Sequence, residues 1–167
     1  QKGRQVLIGL DFNIDPMSAV VMQKDHDVLH VIDEIIIWSS NTDEMADEIK
    51  YRYPVNDCIL YPDPAAVQRK TSAGGRTDIS ILQNSGFRVR YPNQHPQIRD
   101  RVNAVNSRLQ SADGKRHLFV DPKCKTLIES LSRQIYKPET AIPDKSGGYD
   151  HACFSGDQKV KTPEGLV

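Results

Sequence analysis

The stretch that most constrains the fold is Val6-Leu7-Ile8-Gly9-Leu10, a short apolar run that ends on a carboxylate, Asp11. Such a run, with β-branched members, reads as a buried strand. The next residues, Asp11-Phe12-Asn13-Ile14-Asp15-Pro16, have turn chemistry, and Ser18 to Met22 is apolar again. The chain therefore passes through a bend into an antiparallel partner. Asp11 sits where the first strand leaves the core. A carboxylate there is costly unless a cation or a hydrogen-bond donor meets it. Two roles fit that position: a metal ligand at the C-terminal end of the strand, or a turn aspartate capping the bend.

Asp25-His26-Asp27 is a polar turn, and Val28 to Trp38 is a third strand interrupted at His30 and Asp33-Glu34, which completes a meander. Glu34 can reach a metal site or sit on a solvated bulge. Ser40-Asn41-Thr42 followed by Asp43-Glu44 starts a helix, because a polar cap precedes acids in the first turn. Met45, Ile49 and Tyr53 continue it at helical spacing until Pro54 ends it. Cys58 to Tyr61 is then a strand entered from a helix, which commonly lies parallel to the first, deep in the sheet.

That strand ends in Pro62-Asp63-Pro64-Ala65-Ala66. If it neighbours the first, Asp63 and Asp11 stand side by side. Two unpaired carboxylates repel, and a divalent cation is the common reason to keep them together. The plainer role of Asp63 is to cap a helix beginning at Ala65. Arg69 to Arg76 is a basic, glycine-bearing segment suited to touching phosphates, although it lacks the GxxxxGK[ST] spacing of a P-loop. Thr77 caps a helix through Ile79, Leu82 and Gln83, closed by Gly86, and Phe87 to Tyr91 is a fifth strand.

Pro96 to Leu109 reads as a helix with Ile98, Val102, Val105 and Leu109 on one face and Arg99, Arg101 and Arg108 elsewhere, either facing DNA or simply solvated. Ala112 to Arg116 is a tight turn and Arg116 to Val120 a short strand. Asp121-Pro122 starts a helix through Leu127, Leu131 and Ile135. A Pro/Gly-rich connection, Lys137 to Tyr149, leads to a last helix opening at Asp150-His151-Ala152-Cys153.

With 167 residues, 38% hydrophobic and 26% charged, the chain has room for one domain with a real core. Lys+Arg and Asp+Glu both number 22, so any basic surface must be local. No apolar run approaches the roughly 20 residues a membrane helix needs, and there is no signal peptide. Three cysteines without close metal-type spacing point to a reducing compartment and no disulfide framework. The first residue is Gln1 rather than Met, which reads as a piece excised from something longer.

The order strand with Asp, hairpin strands, helix, strand ending in Asp, and late acidic helix start resembles a ribonuclease-H-like nuclease, an α/β fold with a mixed central sheet flanked by helices. More narrowly, it is similar to the nuclease domain of a tailed-phage terminase large subunit. The motifs that carry the resemblance are GLDFNIDP, YPDPAA, RKTSAGGRTDISILQNSGF, HPQIRDRVNAVNSRL, LFVDPKCKTLIESL and PDKSGGYDHAC, spanning Leu7 to Ala152. The resemblance implies two Mg²⁺ or Mn²⁺ ions held by acids and a metal-activated water that cleaves double-stranded viral DNA with little sequence preference. It places the first acid at Asp11, the middle acid at Asp63, and Asp150 and His151 at the start of the last motif. Asp11, Asp63 and Asp150 would be the metal ligands. Arg69, Lys70, Arg76, Arg99 and Arg101 are the candidate DNA contacts. It further implies an upstream ATPase domain in the same polypeptide, a portal and a small terminase subunit as partners, and the cytoplasm of an infected bacterium as the location.

The family pattern expects an Asp where Phe154 stands. From Cys153 the chain reads CFSGDQKVKTPEG, which resembles the first block of an intein, with Cys153 as the nucleophile attacking the carbonyl of Ala152. The expected organisation is therefore a nuclease domain over 1–152 with an incomplete last helix, then an intein N-terminal segment or polar hairpin over 153–167. Two other functions remain open at this level: another ribonuclease-H-like nuclease of resolvase or integrase type, and a non-catalytic DNA-binding or assembly module.

Overall fold

The computed structural model describes residues 5–12, 15–63, 76–91, 97–133, 135 and 138, and the backbone of 161–162 and 165–166. Three consecutive antiparallel strands, β1 (Val6–Asp11), β2 (Met17–Asp25) and β3 (Val28–Ile37), form the expected meander. Helix α1 (Thr42–Arg52) carries the chain back to β4 (Cys58–Pro62), which pairs parallel with β1. After α2 (Asp78–Asn84), β5 (Arg88–Val89) pairs parallel with β4. Then α3 (Ile98–Leu109) leads to β6 (Leu118–Val120), parallel with β3, and α4 (Lys125–Arg133) follows. The sheet order is β5-β4-β1-β2-β3-β6, so the mixed sheet flanked by helices is as the sequence predicts. Two short strands, β7 (Lys161–Thr162) and β8 (Gly165–Leu166), form a separate antiparallel pair.

Local chemistry sets the helix ends. The Asn41 side-chain oxygen accepts the Glu44 N–H at 3.0 Å, with Asp43 and Glu44 in the first turn where the helix dipole favours anions. Thr77 caps α2 in the same way, its hydroxyl accepting the Ser80 N–H at 3.2 Å. Gly86 follows α2 at φ +92°, a conformation that a side chain would strain.

Alternation divides the sheet into two buried faces. Ile8, Leu10, Ala19, Val21, Ile35 and Leu60 point to one, where they meet Met45 and Ile49 of α1 and Ile79 and Leu82 of α2. Leu7, Val20, Met22, Val31, Ile59 and Tyr61 point to the other, against Cys124 and Leu127 of the α4 segment. Each fully buried Leu or Ile contributes about 2 kcal/mol of transfer free energy. No helix among the described residues is long and apolar enough to cross a membrane.

Three elements differ from expectation. The ladder of β5 covers two residues rather than five; Arg88 is tied off by donating to the Asn56 carbonyl at 2.7 Å. The helix expected from Asp121 begins at Lys125, because the Asp121 carboxylate accepts the Lys123 N–H and its carbonyl accepts the Cys124 N–H, closing a turn instead. Arg108, read as a solvated or DNA-facing cation, is buried and donates to both the carbonyl and the carboxylate of Asp27 at 2.7 and 2.9 Å. Its guanidinium holds the Asp27 carboxyl below the usual range.

Candidate active site

β1 and β4 run parallel in the register Leu10 with Pro62, which makes Asp11 and Asp63 the next residues on neighbouring strands. The Asp63 N–H donates to the Leu10 carbonyl at 3.1 Å, extending the ladder one residue past β4 and setting the two residues side by side. Adjacent strands lie about 4.8 Å apart. Leu7, Ile59 and Tyr61 point to the α4 face, so the alternation carries Asp11 and Asp63 to that same face. Both are half-buried, at the end of the sheet where the parallel strands terminate.

The antiparallel neighbour adds a hydroxyl. Ser18 is the register partner of Asp11 and shares its face with Val20. It is 1% exposed, and its Oγ is buried without a hydrogen-bond partner among the described residues. An orphaned buried hydroxyl costs about 1–3 kcal/mol, so it marks a place built to meet a further polar group. Two carboxylates and a hydroxyl offer hard oxygen donors, the chemistry that suits Mg²⁺ or Mn²⁺.

The same end of the sheet gathers the starts of two helices. Thr42, first residue of α1, donates through Oγ1 to Oδ1 of Asp78, first residue of α2, at 2.7 Å, and both are fully buried. Arg76 lies beside this junction, its guanidinium 3.7 Å from the Asp43 carboxylate. Sequence reasoning missed both the Thr42–Asp78 bond and the orphaned Ser18 hydroxyl. The available signals were slight: a Thr-Asp pair at each helix start, and a polar residue heading an apolar strand.

The remaining candidates are distributed as follows. Arg99 is exposed, with its Nε 3.8 Å from Asp100, and Arg101 is half-buried; both belong to α3, whose far end is anchored through Arg108 to the β2–β3 turn. Glu34 is committed elsewhere: its two carboxylate oxygens accept the backbone N–H groups of Thr126 and Leu127 at 2.9 and 2.8 Å, capping α4. Arg69, Lys70, Asp150, His151 and Cys153 lie outside the described residues. Among the described residues no group of three or more His, Cys, Asp or Glu is placed to hold a metal, so Asp11 and Asp63 stand as a pair.

Comparison with known proteins agrees with this fold. The chain is similar in structure to the large terminase of a thermophilic bacteriophage, at a TM-score of 0.73 and 15% identity over 95% of this chain and 39% of that one. That large terminase has also been solved with ATP-gamma-S. The chain is similar to the nuclease domain of the large terminase g2p of bacteriophage SPP1 with bound Mn, at a TM-score of 0.63 and 14% identity over 90% and 81% of the two chains. The large terminase nuclease from thermophilic phage G20c with bound zinc gives a TM-score of 0.60 and 14% identity over 93% and 79%. By sequence the chain is 24% identical over 143 residues to the glutathione biosynthesis bifunctional protein GshAB of two Streptococcus agalactiae strains, spanning 85% of this chain but only 15% of that protein. A family model, the terminase RNase H-like domain, matches residues 8–155. That match includes both Asp11 and Asp63, and the chain belongs to the terminase RNase H-like domain family.

Proposed function

We propose that this chain is the endonuclease domain of a phage terminase large subunit, cutting double-stranded viral DNA during genome packaging. The observation that supports this most is the parallel register of β1 and β4, which brings Asp11 and Asp63 together on one face at the sheet's end. Asp11 and Asp63 would hold divalent cations, Mg²⁺ or Mn²⁺ and two in number, with Asp150 as a further ligand and His151 positioning water. When bound, such cations neutralise the scissile phosphate and lower the pKa of a coordinated water. The protein's part is to fix two carboxylates on rigid strands, so that little reorganisation is needed as charge develops. Arg76, at the same end, would meet a phosphate, and Arg69, Lys70, Arg99 and Arg101 would extend the contact along the backbone without reading bases.

The manganese and zinc in the SPP1 and G20c nuclease structures support divalent-metal use. Because the chain spans 39% of the thermophilic phage's large terminase, an ATPase domain upstream in the same polypeptide belongs to this reading, as do the portal and small subunit and the host cytoplasm. The nuclease domain would run over 1–152. From Cys153 we read an intein start, whose nucleophile attacks the Ala152 carbonyl; the β7–β8 pair fits this and an ordinary hairpin equally. Mass spectrometry of the whole gene product and its Cys153→Ala variant tests it: splicing should remove the inserted block only with Cys153 present.

The nuclease reading is tested by Mn²⁺-dependent nicking of supercoiled plasmid by the chain and by Asp11→Asn and Asp63→Asn. Cleavage should vanish in both variants while their circular dichroism is unchanged. If the unaltered chain fails to cut, the same assay is run on the protein with its last helix completed and the inserted block removed. Failure of that protein too would end the nuclease reading.

A further inference from the structure

The lone tryptophan of the chain stands in an unusual place. Trp38 is 66% exposed, one residue past the end of β3. Apolar burial would normally claim so large a side chain. The register runs Asp11 with Ser18 and Ser18 with Ile36, so Trp38 lies two strands across and two residues beyond the first carboxylate. Strand spacing and rise put that separation at about 12 Å. Ile35 belongs to the α1/α2 face and Ile37 packs against it, so the alternation assigns Ile36 and Trp38 to the opposite face, the one that carries Asp11, Ser18 and Asp63.

The backbone after the tryptophan is pinned. Ser39 adopts φ +50°, a left-handed conformation that a residue with a Cβ enters at a cost. The Asp15 carboxylate secures it, accepting the Ser39 N–H at 2.6 Å and its hydroxyl at 3.3 Å. Asp15 belongs to the turn that leaves Asp11, so one carboxylate ties the tryptophan's backbone to the exit of the strand that carries the first acid. Strain that the surroundings over-determine is a mark of functional sites. Three other aromatics are exposed among the described residues: Tyr51 is near the C-terminal end of α1, Phe119 stacks on His30 at the far edge strand with ring centroids 5.7 Å apart, and Tyr91 follows β5, on the other side of the Asp11–Asp63 pair from Trp38.

We propose that Trp38 is a DNA-contacting residue of the nuclease, its indole packing on sugar and base of the strand that crosses the Asp11–Asp63 pair. The proposal rests on the nuclease reading above. Successive nucleotides of one strand rise about 3.4 Å along the duplex axis, so a contact about 12 Å away along that axis falls three or four nucleotides from the scissile bond. An indole whose following backbone is pinned at that distance would fix the strand's direction over the carboxylates without reading sequence.

Because Trp38 is the sole tryptophan of this chain, its emission reports the contact directly. A short duplex is titrated into the chain with Ca²⁺ in place of Mn²⁺, following tryptophan emission and, separately, the anisotropy of a labelled duplex. Emission should be quenched with the midpoint given by anisotropy; Trp38→Ala should weaken binding about tenfold, and Trp38→Phe should recover most of it. Full binding by anisotropy with unmoved emission, or an alanine variant that binds as tightly as the unaltered chain, overturns the proposal while leaving the nuclease reading in place. Emission that shifts only when the rest of the large subunit is added would assign Trp38 to a protein interface and overturn it likewise. Absence of any DNA binding removes both readings together.

Discussion

Replacing Glu34 with alanine should destabilise the domain by about 2 kcal/mol through a helix far downstream in the chain. The carboxylate accepts two backbone N–H groups at the start of α4, from Thr126 at 2.9 Å and Leu127 at 2.8 Å. The nearest residue with capping chemistry, Asp121, is spent on its own turn. Loss of an N-cap acceptor costs about 0.5–2 kcal/mol, and loss of an anion at a helix N-terminus adds about 0.3–1 kcal/mol. The half-buried setting of Glu34 places the sum near the upper part of the cap range. For a domain of this size that corresponds to a fall in Tm of about 4–8 °C. Glu34→Gln keeps one acceptor without the charge and should lose about half as much. Urea unfolding measures the change, and amide exchange at Thr126 and Leu127 locates it. A Tm within about 1 °C of the unaltered chain, with exchange at those two amides unmoved, would refute the capping account. Lost Mn²⁺ affinity without lost stability would make Glu34 the metal ligand that its strand position alone permits.

Three further outcomes are expected. Burial pushes the Asp33 carboxyl up, but hydrogen bonds from the Tyr53 hydroxyl and Arg52 and the charge of Lys123 outweigh it and leave its pKa lowered. A folded pKa below the unfolded value of about 3.9 means the stabilisation is complete above that pH and fades as pH falls through the folded value. Asp33→Asn should therefore cost about 1–2 kcal/mol at pH 7 in urea unfolding, and the gap should close on acidification below about pH 4. Burial pushes the thiols of Cys58 and Cys124 up to about 11, so in a Cys153→Ser background neither should react with a thiol reagent at about pH 8 until the protein is unfolded. Ser18→Ala removes an orphaned hydroxyl and should leave metal-free Tm unchanged or slightly raised, while Mn²⁺ affinity by calorimetry falls.

The central sheet was legible because its strands announce themselves locally. Val6–Leu10 and Cys58–Tyr61 are apolar runs bounded by turns, and Asn41 and Thr77 are caps whose partners lie three residues away. Their parallel pairing, and with it the juxtaposition of Asp11 and Asp63, followed from the helix between them. What stayed illegible depends on distant partners. The cap of α4 is supplied by Glu34 and the fate of Arg108 is set by Asp27, each more than eighty residues away. A local pattern contains neither. The third acid could be read only from the resemblance, because among the described residues three helices and two strands follow β4 before position 150.

The acidic break in β3 shows how one residue governs the rest. Val31 points to the α4 face, yet Ile35 points to the α1/α2 face, although both positions are odd. The change of side occurs at a bulge, where Met22 pairs with Val31 but Val21 pairs with Asp33, leaving Ile32 as the extra residue. Ile32 packs against the α1/α2 core, and from there the alternation is inverted. The inversion delivers Asp33 to Tyr53 and Arg52 of the α1 end and Glu34 to the N-terminus of α4, on opposite faces. It also sends Ile35 into the core and Trp38 out of it. Without the extra residue, Ile35 and Ile37 would exchange faces with Glu34 and Ile36, placing a carboxylate against Ala19 and Leu10 in a dry core. The interruption that makes this strand look weak in sequence is therefore what allows its first half to serve one face of the sheet and its second half to serve the other.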